Sequence, residues 1–222
     1  MNKYKSVLFD LDGTLLDTAK DIMGACNYTL NKFNFESVDE AILRTKITAG
    51  MRELLKLGVP QNQWETAGIE TVMRDCFANY YREHICDKTT AFDGIAQLID
   101  DLHSKGIKTA VITNKYFDMA KKVLDKFSFS KNFEVILGCD SLKNTKPHPE
   151  PLEKTIKALN VQPSSTIYVG DHLNDIKAAN AAKTDSVIAL WGYGKNECPN
   201  IESWGATFKA NNVYELKEII FC

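Results

Sequence analysis

Two aspartates one residue apart, Asp10 and Asp12, stand at the end of a short apolar run, Val7-Leu8-Phe9, and are followed at once by Gly13-Thr14. If the run is a buried strand, both carboxylates arrive at its carboxyl end, where open α/β sheets take their ligands. Adjacent carboxylates resist joint ionisation unless a cation lies beside them. Oxygen ligands on a tight turn suit Mg²⁺, which keeps several waters and takes one or two protein carboxylates together with substrate phosphate oxygens. An aspartate can also attack phosphorus and form an aspartyl-phosphate. The same residues would equally make a strand ended by an ordinary Asp-Gly turn, so the rest of the chain has to decide.

Three further clusters lie at the ends of apolar segments. Thr113-Asn114-Lys115 follows the run 108–112. A hydroxyl, an amide and free backbone N–H groups at a strand's carboxyl end can hold a phosphoryl oxygen, and they can equally cap a helix. Lys146-Pro147-His148-Pro149-Glu150-Pro151 is a stiffened segment, because a residue before proline is pushed to extended backbone. An ammonium fixed there near Asp10 would keep that carboxylate ionised and neutralise transferring phosphoryl charge. Gly170-Asp171-His172-Leu173-Asn174-Asp175 puts two acids four residues apart at a strand-to-helix junction, on one side of a first helical turn. Asp171 would then ligate Mg²⁺ and Asp175 would hold a metal-bound water; both could instead simply complement the helix dipole.

The elements that must position these groups alternate. Strand-like runs at 6–9, 108–112, 133–137, 166–169 and 186–190 are separated by helical patterns at 93–105, 117–127, 149–159 and 173–182. Alternation of this kind predicts a parallel sheet with helices on both faces, an α/β Rossmann-like core. Residues 17–88 break the rhythm: 17–33, 38–46, 51–57 and 61–85 all have helical patterns, and no strand intervenes. We expect residues 1–15 and 89–222 to form the core and 16–88 an inserted helical domain, joined through polar crossings suited to hinges.

Bulk properties exclude several classes. The chain has 222 residues, 27 basic and 29 acidic, with a net charge of −2. No basic face for nucleic acid is expected from that balance. No apolar stretch approaches the roughly 18 residues of a membrane span, and Met-Asn-Lys-Tyr-Lys running straight into a strand leaves no room for a signal peptide. Cys26, Cys76, Cys86, Cys139, Cys198 and Cys222 include no Cys-x-x-Cys pair. Reduced thiols and a cytoplasmic address are the expectation.

Taken in order, Asp10-x-Asp12-Gly-Thr, Thr113-Asn114, Lys146-Pro and Gly170-Asp171-x-x-x-Asp175 resemble the motifs of the haloacid dehalogenase superfamily of phosphotransferases. The resemblance spans the chain and implies a Rossmann-like core with a four-helix (C1) cap inserted after the first motif. It implies that Asp10 is the nucleophile, and that Asp12 is acid and base, with its backbone carbonyl on Mg²⁺. It further implies that Thr113 binds the transferring phosphoryl group with the Asn114 backbone helping, that Lys146 bridges phosphate and Asp10, that Asp171 ligates the metal and that Asp175 stands behind it. Asp12 separates the chain from the dehalogenases, which lack a second aspartate there.

Thr113-Asn114-Lys115, the Lys-Pro-His-Pro-Glu-Pro segment and Trp191-Gly192-Tyr193-Gly194 are most similar to the phosphoglycolate phosphatase subgroup. The implied activity is Mg²⁺-dependent hydrolysis of a small phosphorylated metabolite, by a monomer or homodimer with no nucleic-acid or membrane partner. Lys115 joins the candidates for phosphate or substrate binding. Substrate choice would lie in the cap, where Thr48-Ala49-Gly50-Met51-Arg52 is the candidate loop: Gly50 would let it turn, and Arg52 could pair with a substrate carboxylate through both arms of its guanidinium. Open alternatives are a β-phosphoglucomutase-type sugar phosphomutase, a phosphatase for pyrophosphate or nucleoside monophosphates, and a non-catalytic regulator. Tyr80 and Tyr81 could stack on a base, but their spacing suits a core better.

Overall fold

The protein is described from a computed structural model covering residues 3–221; Cys222 lies outside the described residues. Two compact units are distinguished: one holds the described residues up to Asp17 together with those from Ala91 onward, and the other is Thr18–Thr90.

The first unit is built on β1 (Ser6–Phe9), whose four residues are all buried. It pairs in parallel with β4 (Lys108–Ile112) on one side, Phe9 opposite Val111, and with β6 (Thr166–Gly170) on the other, Phe9 opposite Val169. Outside these lie β5 (Phe133–Leu137), β7 (Asp185–Ala189) and β8 (Phe208–Ala210), giving a six-stranded order of β5-β4-β1-β6-β7-β8. The outer pairings are parallel as well. Strand order reverses at β1, and a doubly wound sheet opens its ligand crevice at such a point.

Side-chain alternation divides the core into two layers. Leu8, Ala110, Ile112 and Tyr168 pack against helices α8 (Glu150–Ala158) and α9 (Leu173–Ala181) through Leu152, Ile156, Ala178 and Ala179. On the opposite side Phe9 meets Phe133 edge to face, ring centroids 6.5 Å apart, in the layer of α6 (Ile95–Ser104) and α7 (Phe117–Leu124). Helices α10 (Gly194–Glu197) and α11 (Val213–Phe221) complete the unit. The strand and helix β8 and α11 escaped the sequence reading: β8 is only three residues long, and one of them, Lys209, is exposed. An α/β core with a parallel sheet is what the alternation implied.

The chain leaves this unit through β2 (Leu16–Asp17) and re-enters through β3 (Thr90–Ala91), which form a two-stranded sheet. The second unit is helical: α1 (Ala19–Lys32), α2 (Glu40–Arg44), α3 (Met51–Lys56), α4 (Trp64–Ala67) and α5 (Arg74–Glu83). Its core includes Leu30, Leu54, Leu55, Met73, Phe77 and Tyr81. The pattern at 61–85 predicts one helix, but the backbone is broken there. Gly68 takes the left-handed conformation and ends α4, and a π-helical turn, Ile69–Met73, follows. Glycine lacks the Cβ that makes this conformation costly. Tyr81 is a core residue, and Tyr80 stacks on Tyr28 with centroids 3.8 Å apart. No helix among the described residues is long and apolar enough to cross a membrane.

Candidate active site

The carboxyl ends of β1, β4 and β6 deliver the candidate groups to one edge of the sheet. Asp10 continues β1, its N–H donating to Val169 O at 2.9 Å. The next residues turn back sharply: Thr14, Leu15 and Leu16 all donate to Leu11 O. Gly13 sits inside this turn at φ +83°, and a Cβ there would come within 2.4 Å of Asp171 Oδ2. The first motif therefore needs glycine both for its backbone and for the close approach of the third carboxylate.

A buried charge cluster lies at the centre. Lys146 Nζ donates to Asp10 Oδ1 at 2.7 Å, to Asp175 Oδ1 at 2.6 Å and to Tyr168 Oη at 2.8 Å. All three donors of the ammonium have partners, as a buried cation requires. Burial alone would lower the pKa of this amine, but the carboxylates of Asp10 and Asp175 outweigh it and hold its pKa above the ordinary lysine value. Tyr168 Oη also donates to Ile112 O at 2.9 Å. The hydroxyl thereby ties the cluster to the end of β4.

Asp10, Asp171 and Asp175 are all buried and can each offer an oxygen within 4.8 Å of the others. Burial pushes Asp10 up to about 7 despite Lys146. Burial, and then repulsion from Asp10 and Asp175, pushes Asp171 well above the carboxylate range, against hydrogen bonds from Tyr193 and Gly194. Crowded acids with pKa values raised for these reasons are what a cation relieves, and an oxygen-only donor set fits a hard divalent ion. Asp175 is the least available of the three. Its Oδ1 holds Lys146, and its Oδ2 accepts the N–H of His172 at 3.0 Å in a capping box that starts α9. The dipole-side role and the cluster role thus coexist on one side chain.

Asp12 and Thr113 flank this centre. Lys115 Nζ lies 2.8 Å from Asp12 Oδ1 and 2.9 Å from Oδ2. Thr113 is buried, and its Oγ1 accepts from Lys115 N at 3.2 Å. Asn114 Nδ2 donates to Lys146 O at 3.0 Å. The amide side chain thus fastens the lysine segment, whose Lys146–Pro147 peptide is cis.

Gly50 and Arg52 belong to the helical unit. Gly50 is at φ +92° and precedes α3, so Arg52 lies in the first turn of that helix and not in a loop. Its Nε pairs with Glu70 Oε2 at 2.7 Å, both side chains half exposed or more. Three relationships were not legible in the sequence. Tyr168 looks like any other apolar strand residue there. The Asp12 partnership of Lys115 spans 103 positions. Trp191-Gly192-Tyr193-Gly194 marked a resemblance, yet its physical task is specific: the N–H groups of Tyr193 and Gly194 donate to Asp171 Oδ2 at 2.7 and 3.1 Å.

Residues 7–189 match the family model of haloacid dehalogenase-like hydrolases. The chain belongs to this family. Among curated relatives, an N-acetylmuramic acid 6-phosphate phosphatase of Pseudomonas putida is 31% identical over 218 residues, covering 98% of this chain and 96% of the relative. A phosphoglycolate phosphatase of Aquifex aeolicus is 36% identical over 189 residues, covering 85% and 86%. A solved structure from Haemophilus somnus, described as a predicted phosphoglycolate phosphatase, superposes with a TM-score of 0.86 at 24% identity over 99% of both chains. That likeness concerns the fold of this haloacid dehalogenase-like hydrolase.

Proposed function

We propose that this haloacid dehalogenase-like hydrolase is a Mg²⁺-dependent phosphomonoesterase that works through an aspartyl-phosphate on Asp10. The observation that carries the reading is the buried Lys146 ammonium, 2.7 Å from Asp10 Oδ1 and backed by Asp175. It holds a carboxylate in place at the end of β1 and supplies positive charge where a phosphoryl group would gather negative charge.

In the first half-reaction an Asp10 oxygen bonds to phosphorus, the phosphorus–oxygen ester bond breaks, and Asp12 gives its proton to the leaving alkoxide. In the second, Asp12 takes a proton from water as the water oxygen bonds to phosphorus. The bond to Asp10 then breaks and inorganic phosphate leaves. Thr113 and the Asn114 backbone would bind the transferring group. Mg²⁺, held by Asp10, Asp171 and the Asp12 backbone carbonyl with Asp175 behind them, would neutralise the phosphoryl charge.

The helical segment 16–88 would serve as a cap over a core of 1–15 and 89–222. The relatives' names point to small phosphomonoesters of carboxylic acids, phosphoglycolate and N-acetylmuramic acid 6-phosphate. Arg52, with Gly50 as its pivot, is our candidate for the carboxylate. The test is phosphate release with and without Mg²⁺ from both of these compounds, sugar phosphates, nucleoside monophosphates and pyrophosphate. Asp10→Asn, nearly isosteric, should fold normally and release nothing. Full Mg²⁺-dependent activity in that variant would overturn the nucleophile assignment.

A further inference from the structure

Trp191-Gly192-Tyr193-Gly194 follows β7 much as Asp171 follows β6, and the two strands are paired, Gly170 opposite Ile188. The two segments therefore leave the sheet side by side, and they approach too closely for any side chain between them. A Cβ on Gly192 would lie 2.3 Å from Asp171 Cβ and 2.5 Å from Asp171 Oδ2; one on Gly194 would lie 2.1 Å from Asp171 O. With Gly13, whose Cβ would meet the same Oδ2, three glycines close around one aspartate. Inside this enclosure the N–H groups of Tyr193 and Gly194 hold Oδ2. Oδ1 receives only a long contact, 3.4 Å from Thr14 Oγ1. The segment is anchored in turn by its two aromatic side chains. Trp191 Nε1 donates to Thr14 O at 3.1 Å, and Tyr193 Oη donates to Asp17 Oδ1 at 2.5 Å. Both acceptors lie within residues 10–17, the stretch that carries Asp10 and Asp12.

We propose that Trp191, Gly192 and Tyr193 are positioning residues for the metal: they hold the Asp171 carboxylate in one orientation, with Oδ2 committed to backbone N–H groups and Oδ1 kept available to Mg²⁺. This rests on one part of the phosphomonoesterase reading, that Asp171 ligates Mg²⁺. A carboxylate without such a frame turns among its χ1 and χ2 wells, and groups that orient a metal ligand set a large share of the metal affinity.

The test is the Mg²⁺-dependent rise in Tm, titrated to give a dissociation constant, beside the Tm in EDTA. It compares wild type with Gly192→Ala, Trp191→Phe and Tyr193→Phe. An added methyl at Gly192 forces Asp171 and the segment apart, so the Mg²⁺ dissociation constant should rise about 10- to 100-fold. Trp191→Phe and Tyr193→Phe each release one anchor and should raise it about three- to tenfold. A lower Tm in EDTA with Mg²⁺ affinity unchanged would give the segment a purely structural role and overturn the proposal. Should Gly192→Ala fail to fold, the aromatic variants decide: wild-type affinity in both would overturn it as well. Wild-type protein that binds no Mg²⁺ would sink the metal assignment, and this inference with it. Wild-type protein that binds Mg²⁺ but releases no phosphate from 2-phosphoglycolate or N-acetylmuramic acid 6-phosphate would count against the phosphomonoesterase reading alone, and the affinities of the variants would still decide the role of the segment.

Discussion

Tyr168 Oη lies 2.8 Å from Lys146 Nζ and donates to Ile112 O, so one hydroxyl joins the buried cation to the strand beside Asp10. Tyr168 is fully buried, and burial followed by the nearby carboxylates of Asp175 and Asp10 raises its pKa well above the usual phenol value. The hydroxyl is therefore a neutral donor and acceptor, and its deletion leaves both Lys146 and Ile112 O short of a partner.

Tyr168→Phe should cost about 1–3 kcal/mol in urea unfolding, the penalty for stranding buried polar groups. Because Lys146 would lose one of its three fixed contacts, kcat should fall about tenfold with little change in KM. A variant with wild-type stability and rate would show that the hydroxyl does not organise the cluster.

Metal binding should read out in stability. Asp171 and Asp10 are crowded acids whose pKa values burial has raised, so a divalent cation among them stabilises the folded state alone. Mg²⁺ at a hundred times its dissociation constant should add about 2.7 kcal/mol to unfolding. The corresponding rise in Tm should largely vanish in Asp171→Asn and persist in Arg52→Ala. An equal Mg²⁺ shift in Asp171→Asn would place the ion elsewhere.

A second polar tie lies wholly within the helical unit. Asp21, in the first turn of α1, accepts from Lys88 N at 3.0 Å, Thr89 N at 2.9 Å and Thr89 Oγ1 at 2.7 Å. Its carboxylate closes the chain's return onto the start of the unit and is itself buried. Asp21→Ala should destabilise by about 2–4 kcal/mol, because the two buried donors of Thr89 and the N–H of Lys88 lose one shared acceptor. Asp21→Asn, which keeps an acceptor oxygen, should cost about half as much. Similar unfolding curves for Ala and wild type would disprove this tie.

The legible parts of the protein were those whose chemistry is local in sequence. Asp10 and Asp12 share one turn, Asp171 and Asp175 one helical start, and Lys146 is set off by the prolines around it. Short apolar runs alternating with period-3.6 patterns implied the parallel sheet and most of its helices. What escaped was relational. Tyr168 is one more buried residue of β6 until its hydroxyl is seen beside Lys146, and the bond from the Asn114 amide to Lys146 O joins residues 32 positions apart. Asp21 looks like an ordinary first-turn acid, since its partners lie 67 and 68 positions away. The break at Gly68 was also hidden, because the flanking apolar spacing stays helical through a π-turn.

The far edge of the sheet offers a pH test clear of the cluster. Tyr4 Oη donates to Asp185 Oδ2 at 2.6 Å, and Lys3 Nζ lies 2.9 Å from the same oxygen. Burial pushes Asp185 upward, but the hydrogen bonds from Tyr4 and Lys3 outweigh it and leave its pKa below the ordinary carboxylate value. A carboxylate whose folded pKa is depressed contributes stability above its unfolded pKa, and that contribution is lost as pH falls through the folded value. In wild type, unfolding free energy should therefore drop below about pH 4 partly through Asp185. Tyr4→Phe should remove about 1 kcal/mol near neutral pH and flatten the drop, since the lost donor no longer holds the proton off. Unfolding curves across pH 2.5–7 decide the matter: parallel profiles for the two proteins would mean that the tyrosine hydroxyl does not set the Asp185 titration.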